Sequence, residues 1–171
     1  AGCDPVVVVT GHKGEALADH LRGQPVAVAH NPDYQSGMFS SVLAGVAALV
    51  PYRPRQFFVL PVDHLFVSSP LLEALLQSQR ESGTAVTYPM FGGAKGHPPL
   101  ISHDCIPSIL LYRGEEGLRG ALAPFDDEAG YLEWDEPGIL TDMDTPEAYR
   151  RSLQRLEGSF EPRQLFLQGD L

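Results

Sequence analysis

Gln56-Phe57-Phe58-Val59-Leu60-Pro61-Val62-Asp63-His64 is an apolar run that ends in a carboxylate. Its lack of polar alternation suits a strand buried on both faces, as in a parallel sheet packed between helices. The strand is predicted over Phe57 to Val62, which leaves Asp63 at its carboxyl end. Open parallel sheets place ligands just beyond the carboxyl ends of their strands, so Asp63 is a metal or substrate candidate. Its plainer role would be to open the turn into the next helix. Ser69 before Pro70 is the better helix cap, since the hydroxyl accepts orphan amide bonds and proline is preformed for the first helical position.

Outward from this run the pattern alternates. Pro5 to Thr10 is a β-branched strand stopped by Gly11. Glu15 to Arg22 follows as a short helix with a glycine stop, and Pro25 to Ala29 as a second strand. After the loop His30 to Met38, Val42, Leu43, Val46, Leu49 and Val50 recur at helical spacing until Pro51, which puts Ser40 and Ser41 in the first turn. Beyond the central run come a helix over Leu71 to Arg80 and a strand over Thr84 to Tyr88. Strands joined by helical crossovers predict an α/β layered domain with a mostly parallel sheet. The turn-rich Pro89 to Pro99 breaks the rhythm, and Leu100-Ile101 is expected to fold back beside Thr84 to Tyr88. Short helices are expected over Ile106 to Leu111 and Leu118 to Leu122. Tyr131 to Trp134 is read as a strand antiparallel to the main sheet, Gly138 to Thr141 as extended, and Thr145-Pro146-Glu147 as the start of a helix to about Leu156. Residues 1–157 are read as one domain and 158–171 as an extension docked on it.

A chain of 171 residues with net charge −10 has the size of one domain. Its acidity argues against nucleic acid as a partner, because polyanion binding rests on clusters of Lys and Arg. Cys3 and Cys105 are too few for a disulfide framework. No apolar run approaches the roughly 20 residues needed to cross a bilayer, so no membrane partner and a cytoplasmic location are expected.

The loops at or near strand ends carry the polar chemistry: Asn31, Gly37, Ser40 and Ser41; Asp63; Lys95, Gly96, His97 and Pro98; Asp142 and Asp144. In an extended segment Asp142 and Asp144 share a face. Two or three carboxylates from separate strand ends suit a Mg2+ ion that also holds phosphate oxygens. Each feature has a plainer alternative: Asp144 as a helix entrance, His97 as a turn residue, Gly37 and Ser40 as shapers of a helix start.

The segments Asn31 to Ser41, Leu60-Pro61-Val62-Asp63, Gly96-His97-Pro98 and Asp142-Met143-Asp144-Thr145-Pro146-Glu147 together resemble the molybdenum cofactor nucleotidyltransferase family, and its cytidylyltransferases most. The resemblance runs from Val6 to about Tyr149. It implies a Rossmann-like three-layer fold that couples a nucleoside triphosphate, CTP ahead of GTP, to the phosphate of molybdopterin and releases pyrophosphate. It also implies Mg2+ as cofactor, held by Asp63 and Asp142, with Asp63, Asp142 and Asp144 catalytic. Asn31, Gly37, Ser40 and Ser41 would border the nucleotide, and Lys95, Gly96, His97 and Pro98 the acceptor.

One departure is large. The family's first strand and its glycine-rich nucleotide loop have no counterpart here, so the domain is expected to be incomplete at its N-terminus and to need that segment or a partner that supplies it. Two alternatives remain: transfer to another small phosphorylated acceptor, or a non-catalytic module that handles the cofactor for a molybdoenzyme.

Overall fold

The computed structural model describes residues 2–143 together with 145, 147, 149, 150, 152 and 153. Strands β1 (Val7–Thr10) and β2 (Ala27–His30) pair in parallel around helix α1 (Gly14–His20). Helix α2 (Met38–Leu49) then leads to β3 (Gln56–Phe58), α3 (Ser69–Ser82) and β4 (Val86–Phe91). A hairpin through β5 (Ala94–Lys95) returns the chain into β6 (Leu100–Ser102). Helices α4 (Ile106–Leu111) and α5 (Gly117–Leu122) precede β7 (Gly130–Glu133).

The second sheet runs β3-β6-β4-β5, with β7 on β4. β6 does fold back, lying antiparallel between β3 and β4, with Phe57 and Val86 both opposite Ile101 and Phe58 and Thr87 both opposite Leu100. Period-two alternation divides these strands between two cores. Phe57, Val86 and Ile101 face Val46 of α2, Ile106 and Ile109 of α4 and Leu122 of α5. Leu100 and Phe58 face Leu71 and Leu75 of α3, with Ile139. Helices thus cover both faces, which is the expected three-layer α/β architecture. α2 spans the two sheets: Gly45 lies against Val9 of β1, while Val46 shares a core with Phe57 of β3. Among the described residues, no strand pairs with the second edge of β1 or of β3.

Several local expectations are corrected. β3 ends at Phe58 rather than Val62, because its partner β6 begins at Leu100, opposite Phe58, directly after Pro98-Pro99, and Pro61 has no amide to extend a ladder. Ser68, not Ser69, caps α3, its hydroxyl accepting from the Leu71 amide at 3.4 Å. β7 lies parallel to β4, with Tyr88 opposite Tyr131. Residues Pro137–Leu140 form a 3-10 turn rather than an extended segment. Beyond it, Glu147, Tyr149, Arg150, Ser152 and Leu153 are helical, and the Tyr149 amide donates to the Thr145 carbonyl at 2.9 Å. Asp144, Leu156 and the extension 158–171 lie outside the described residues.

Burial sets the stability ranking. Leu75 is fully enclosed and Leu111, on α4, is 75% exposed. Leu75→Ala is expected to lower the unfolding free energy by about 2 to 5 kcal/mol, and Leu111→Ala by no more than about 0.5 kcal/mol, read from urea midpoints. Cys105 is enclosed, and burial first, then Asp104, pushes its thiol up to about 11. Below pH 9 the thiol is neutral folded or unfolded; between pH 9 and about 11 only the unfolded chain ionises, which favours unfolding. The stability difference between wild type and Cys105→Ala should therefore be constant below pH 9 and shrink as pH climbs toward 11. A thiol reagent at neutral pH should label exposed Cys3 and spare Cys105 until the chain is unfolded.

Candidate functional site

Past the end of β3 the chain turns at Pro61 to His64, where the His64 amide donates to the Pro61 carbonyl at 3.2 Å. Asp63 stands in this turn, half-buried, with Oδ1 enclosed and without a hydrogen-bond partner. His64 Nδ1 and His97 Nδ1 are enclosed in the same way. The two imidazoles meet with ring centroids 4.4 Å apart, tilted by 47°. Burial, and then the His64 ring, lower the pKa of His97 below its ordinary value, with the Asp63 carboxylate pulling the other way. His97 is thereby favoured in its neutral form, able to donate at one nitrogen and accept at the other.

The loop carrying His97 is fixed from both sides. The Gly96 amide donates to the Pro89 carbonyl of β4 at 2.7 Å, and the His97 amide to the Ile139 carbonyl at 2.9 Å. Position 96 must be glycine, since a Cβ there would lie 2.7 Å from the Ile139 side chain. The turn that holds Ile139 packs in turn on the Asp63 loop, because a Cβ on Gly138 would lie 2.6 Å from Phe66 Cβ. Three segments remote in sequence are thus fastened together. Pro98 is fully buried.

Lys95 turns to other partners. Its ammonium lies 4.4 Å from the Tyr88 ring centroid and 5.3 Å from that of Tyr131, and pairs with Asp126 at 3.3 Å. Desolvation first, then Asp126, raises the Tyr88 phenol to about 12.

Asn31 is buried, and its amide donates to Ser40 Oγ at 2.8 Å and Ser41 Oγ at 3.0 Å while its carbonyl accepts from the Asp33 amide at 2.9 Å. This network straps the loop after β2 to the first turn of α2. Gly37, at φ 100°, begins that helix in a conformation that favours glycine. Asn31, Ser40 and Ser41 spend their side chains within the loop, and the backbone amides of Asn31 and Ser40 are taken by the Thr10 and Gly37 carbonyls at 2.7 and 3.1 Å, so these residues shape the start of α2.

Asp142 is exposed, two residues after the Pro137–Leu140 turn that holds His97. Asp144 lies outside the described residues. Among the described residues, no group of three or more His, Cys, Asp or Glu side chains is placed to hold a metal ion. No described helix is long and apolar enough to cross a membrane.

The structure therefore brings Asp63 together with Gly96, His97 and Pro98, and it adds His64, which the sequence reading passed over. The only signal for it was position: a second polar residue directly after Asp63. Phe66, Gly138 and Ile139 were also missed, because their role is packing between loops.

Comparison with known proteins gives this arrangement a family. Residues 1–129 match the MobA-like NTP transferase domain. The molybdenum cofactor cytidylyltransferase of Escherichia coli (strain K12) is 27% identical over 154 residues, covering 90% of this chain and 76% of that protein. Nicotine blue oxidoreductase of Paenarthrobacter nicotinovorans is 28% identical over 158 residues, covering 89% and 76% respectively. A crystal structure from Mycobacterium tuberculosis H37Rv, in complex with manganese, aligns with a TM-score of 0.70 at 21% identity over 90% of this chain and 80% of that one. With the matched model spanning most of its length, the chain belongs to the MobA-like NTP transferase domain family and is a nucleotidyltransferase.

Proposed function

We propose that this nucleotidyltransferase moves the nucleotidyl group of a nucleoside triphosphate, CTP in preference to GTP, onto the phosphate of molybdopterin. One observation supports the reading above the rest: a half-buried carboxylate with a partnerless oxygen, Asp63, lies beyond the end of β3 beside the loop of His97. The similarity to a molybdenum cofactor cytidylyltransferase over 90% of the chain supports the choice of acceptor and base. A relative named as an oxidoreductase matches at 28% identity over 89% of the chain, and pyrophosphate release is the readout that belongs to nucleotidyl transfer alone.

In the reaction an oxygen of the acceptor phosphate attacks the α-phosphorus. A new P–O bond forms, the bond from the α-phosphorus to its bridging oxygen breaks, and pyrophosphate leaves with the electron pair. Such a transfer asks for positioning and charge neutralisation rather than covalent help. The α2 start, with Asn31, Gly37, Ser40 and Ser41, borders the triphosphate; Lys95, Gly96, His97 and Pro98 border the acceptor. Asp63 and Asp142 would hold Mg2+, and Asp144 is assigned a catalytic role beside them. Oxygen donors of this kind fit that ion, which needs only one or two carboxylates when phosphates and water complete its shell, and Asp63 Oδ1 has no other partner. When bound, the ion neutralises developing charge on the phosphates. The manganese complex of a structural relative is consistent with a divalent ion in this fold.

Asp63→Asn keeps the shape and removes the charge. It is expected to cut pyrophosphate release from CTP and molybdopterin by at least about 100-fold with the fold intact by circular dichroism. Unchanged turnover would overturn the metal role, and wild type without pyrophosphate release would overturn the reaction. We further propose that the edges of β1 and β3 that have no partner strand among the described residues receive one more strand, which carries the glycine-rich nucleotide loop, and that the protein works in the cytoplasm.

A further inference from the structure

Two loops that carry the proposed metal and acceptor residues meet at a pair of imidazole rings. His64 follows Asp63 in the β3-α3 loop, and His97 sits between the hairpin and β6. Their centroids are 4.4 Å apart, and the Nδ1 atom of each is enclosed without a partner. Nε2 of His97 is not among the enclosed, partnerless atoms. With its backbone amide bound to the Ile139 carbonyl, the His97 ring keeps only rotation about its side-chain torsions, and an aromatic ring at this distance restricts that rotation.

We propose that His64 is a positioning residue: its ring face holds the His97 imidazole in the orientation that presents Nε2 to a phosphoryl oxygen of the acceptor. This rests on the transfer reaction proposed above. His64 acts through packing rather than through its own nitrogens. A preset imidazole removes rotamer entropy that binding would otherwise cost, so removing the ring should weaken acceptor binding first. The same contact ties the acceptor loop to the Asp63 loop, so a shift in one is passed to the other.

The test compares wild type, His64→Phe and His64→Ala in the protein as its cell makes it, with CTP and molybdopterin as substrates and inorganic phosphate as the spectroscopic probe. In His64→Ala the acceptor KM is expected to rise roughly 3- to 10-fold while kcat and the KM for CTP stay within about 2-fold, the ratio that loss of one side-chain restraint gives. The His97 imidazole resonances, followed by 1H–13C and 1H–15N correlation, should move in His64→Ala and respond less to added phosphate. His64→Phe, which keeps an aromatic face, should retain most of the wild-type KM and spectrum. Unchanged His97 resonances in His64→Ala would overturn the proposal, and so would His64→Phe as impaired as His64→Ala, which would assign the effect to the His64 nitrogens. If His64→Ala does not fold, His64→Phe beside His64→Asn gives the same comparison. If wild type transfers no nucleotide, the reaction fails, while the His97 spectra still decide whether His64 orients that ring.

Discussion

The placement of β6 between β3 and β4 governs the rest of the structure. Leu100 lies opposite both Phe58 and Thr87, and Ile101 opposite both Phe57 and Val86, so three strands share one register. Because β6 runs against its neighbours, the chain enters it from their carboxyl side: Leu100 is level with Phe58, the last residue of β3, and Gly96 reaches the Pro89 carbonyl in the carboxyl half of β4. The residues just before it, Gly96 to Pro98, are therefore delivered to the carboxyl ends of β3 and β4, beside the loop that carries Asp63. A parallel crossover at this point would have sent the same residues to the opposite end of the sheet. A short strand whose Leu100 and Ile101 are fully buried thus positions the site from within the core.

The same three-strand unit explains how the loops stay in place. Polar side chains hold little of it; the fastening is backbone hydrogen bonds from Gly96 and His97 and two positions, 96 and 138, where a neighbouring side chain fills the space of a missing Cβ. On the other sheet the fastening is of the opposite kind. Asn31 uses three hydrogen bonds to secure the loop before α2. The first device tolerates no enlargement, and the second tolerates no loss of polarity.

Much of this was legible in the sequence because the signals are local. β-branched runs, a glycine after α3 and the spacing of apolar residues in α2 and α3 gave the α/β order and the three layers, and the turn-rich stretch after Tyr88 announced the return of β6. Boundaries slipped where the partner strand stops short: Val59 to Val62 looks like strand, but β6 begins opposite Phe58 and Pro61 has no amide to extend the ladder. The parallel direction of β7 and the turn at Pro137–Leu140 depend on what they pack against, which no window of sequence contains. For the site, Asp63 and the Gly-His-Pro element stood out by residue type. His64 did not, because its meaning comes from a ring more than thirty positions away. Lys95 stood out for its charge, yet its ammonium faces Tyr88, Tyr131 and Asp126.

The edges of β1 and β3 that have no partner strand among the described residues bear on how this protein behaves at high concentration. β1 is drawn from Pro-Val-Val-Val-Val-Thr, a run without charge and rich in β-branched residues, and its neighbour Val6 is 44% exposed. Natural sheets guard such edges with lysine, proline, bulges or a covering segment, because exposed amides and carbonyls in a row are a template for another chain. A segment covering this edge would therefore serve solubility as well as structure. Left uncovered, Val6 to Thr10 is a segment through which newly made chains would associate with one another.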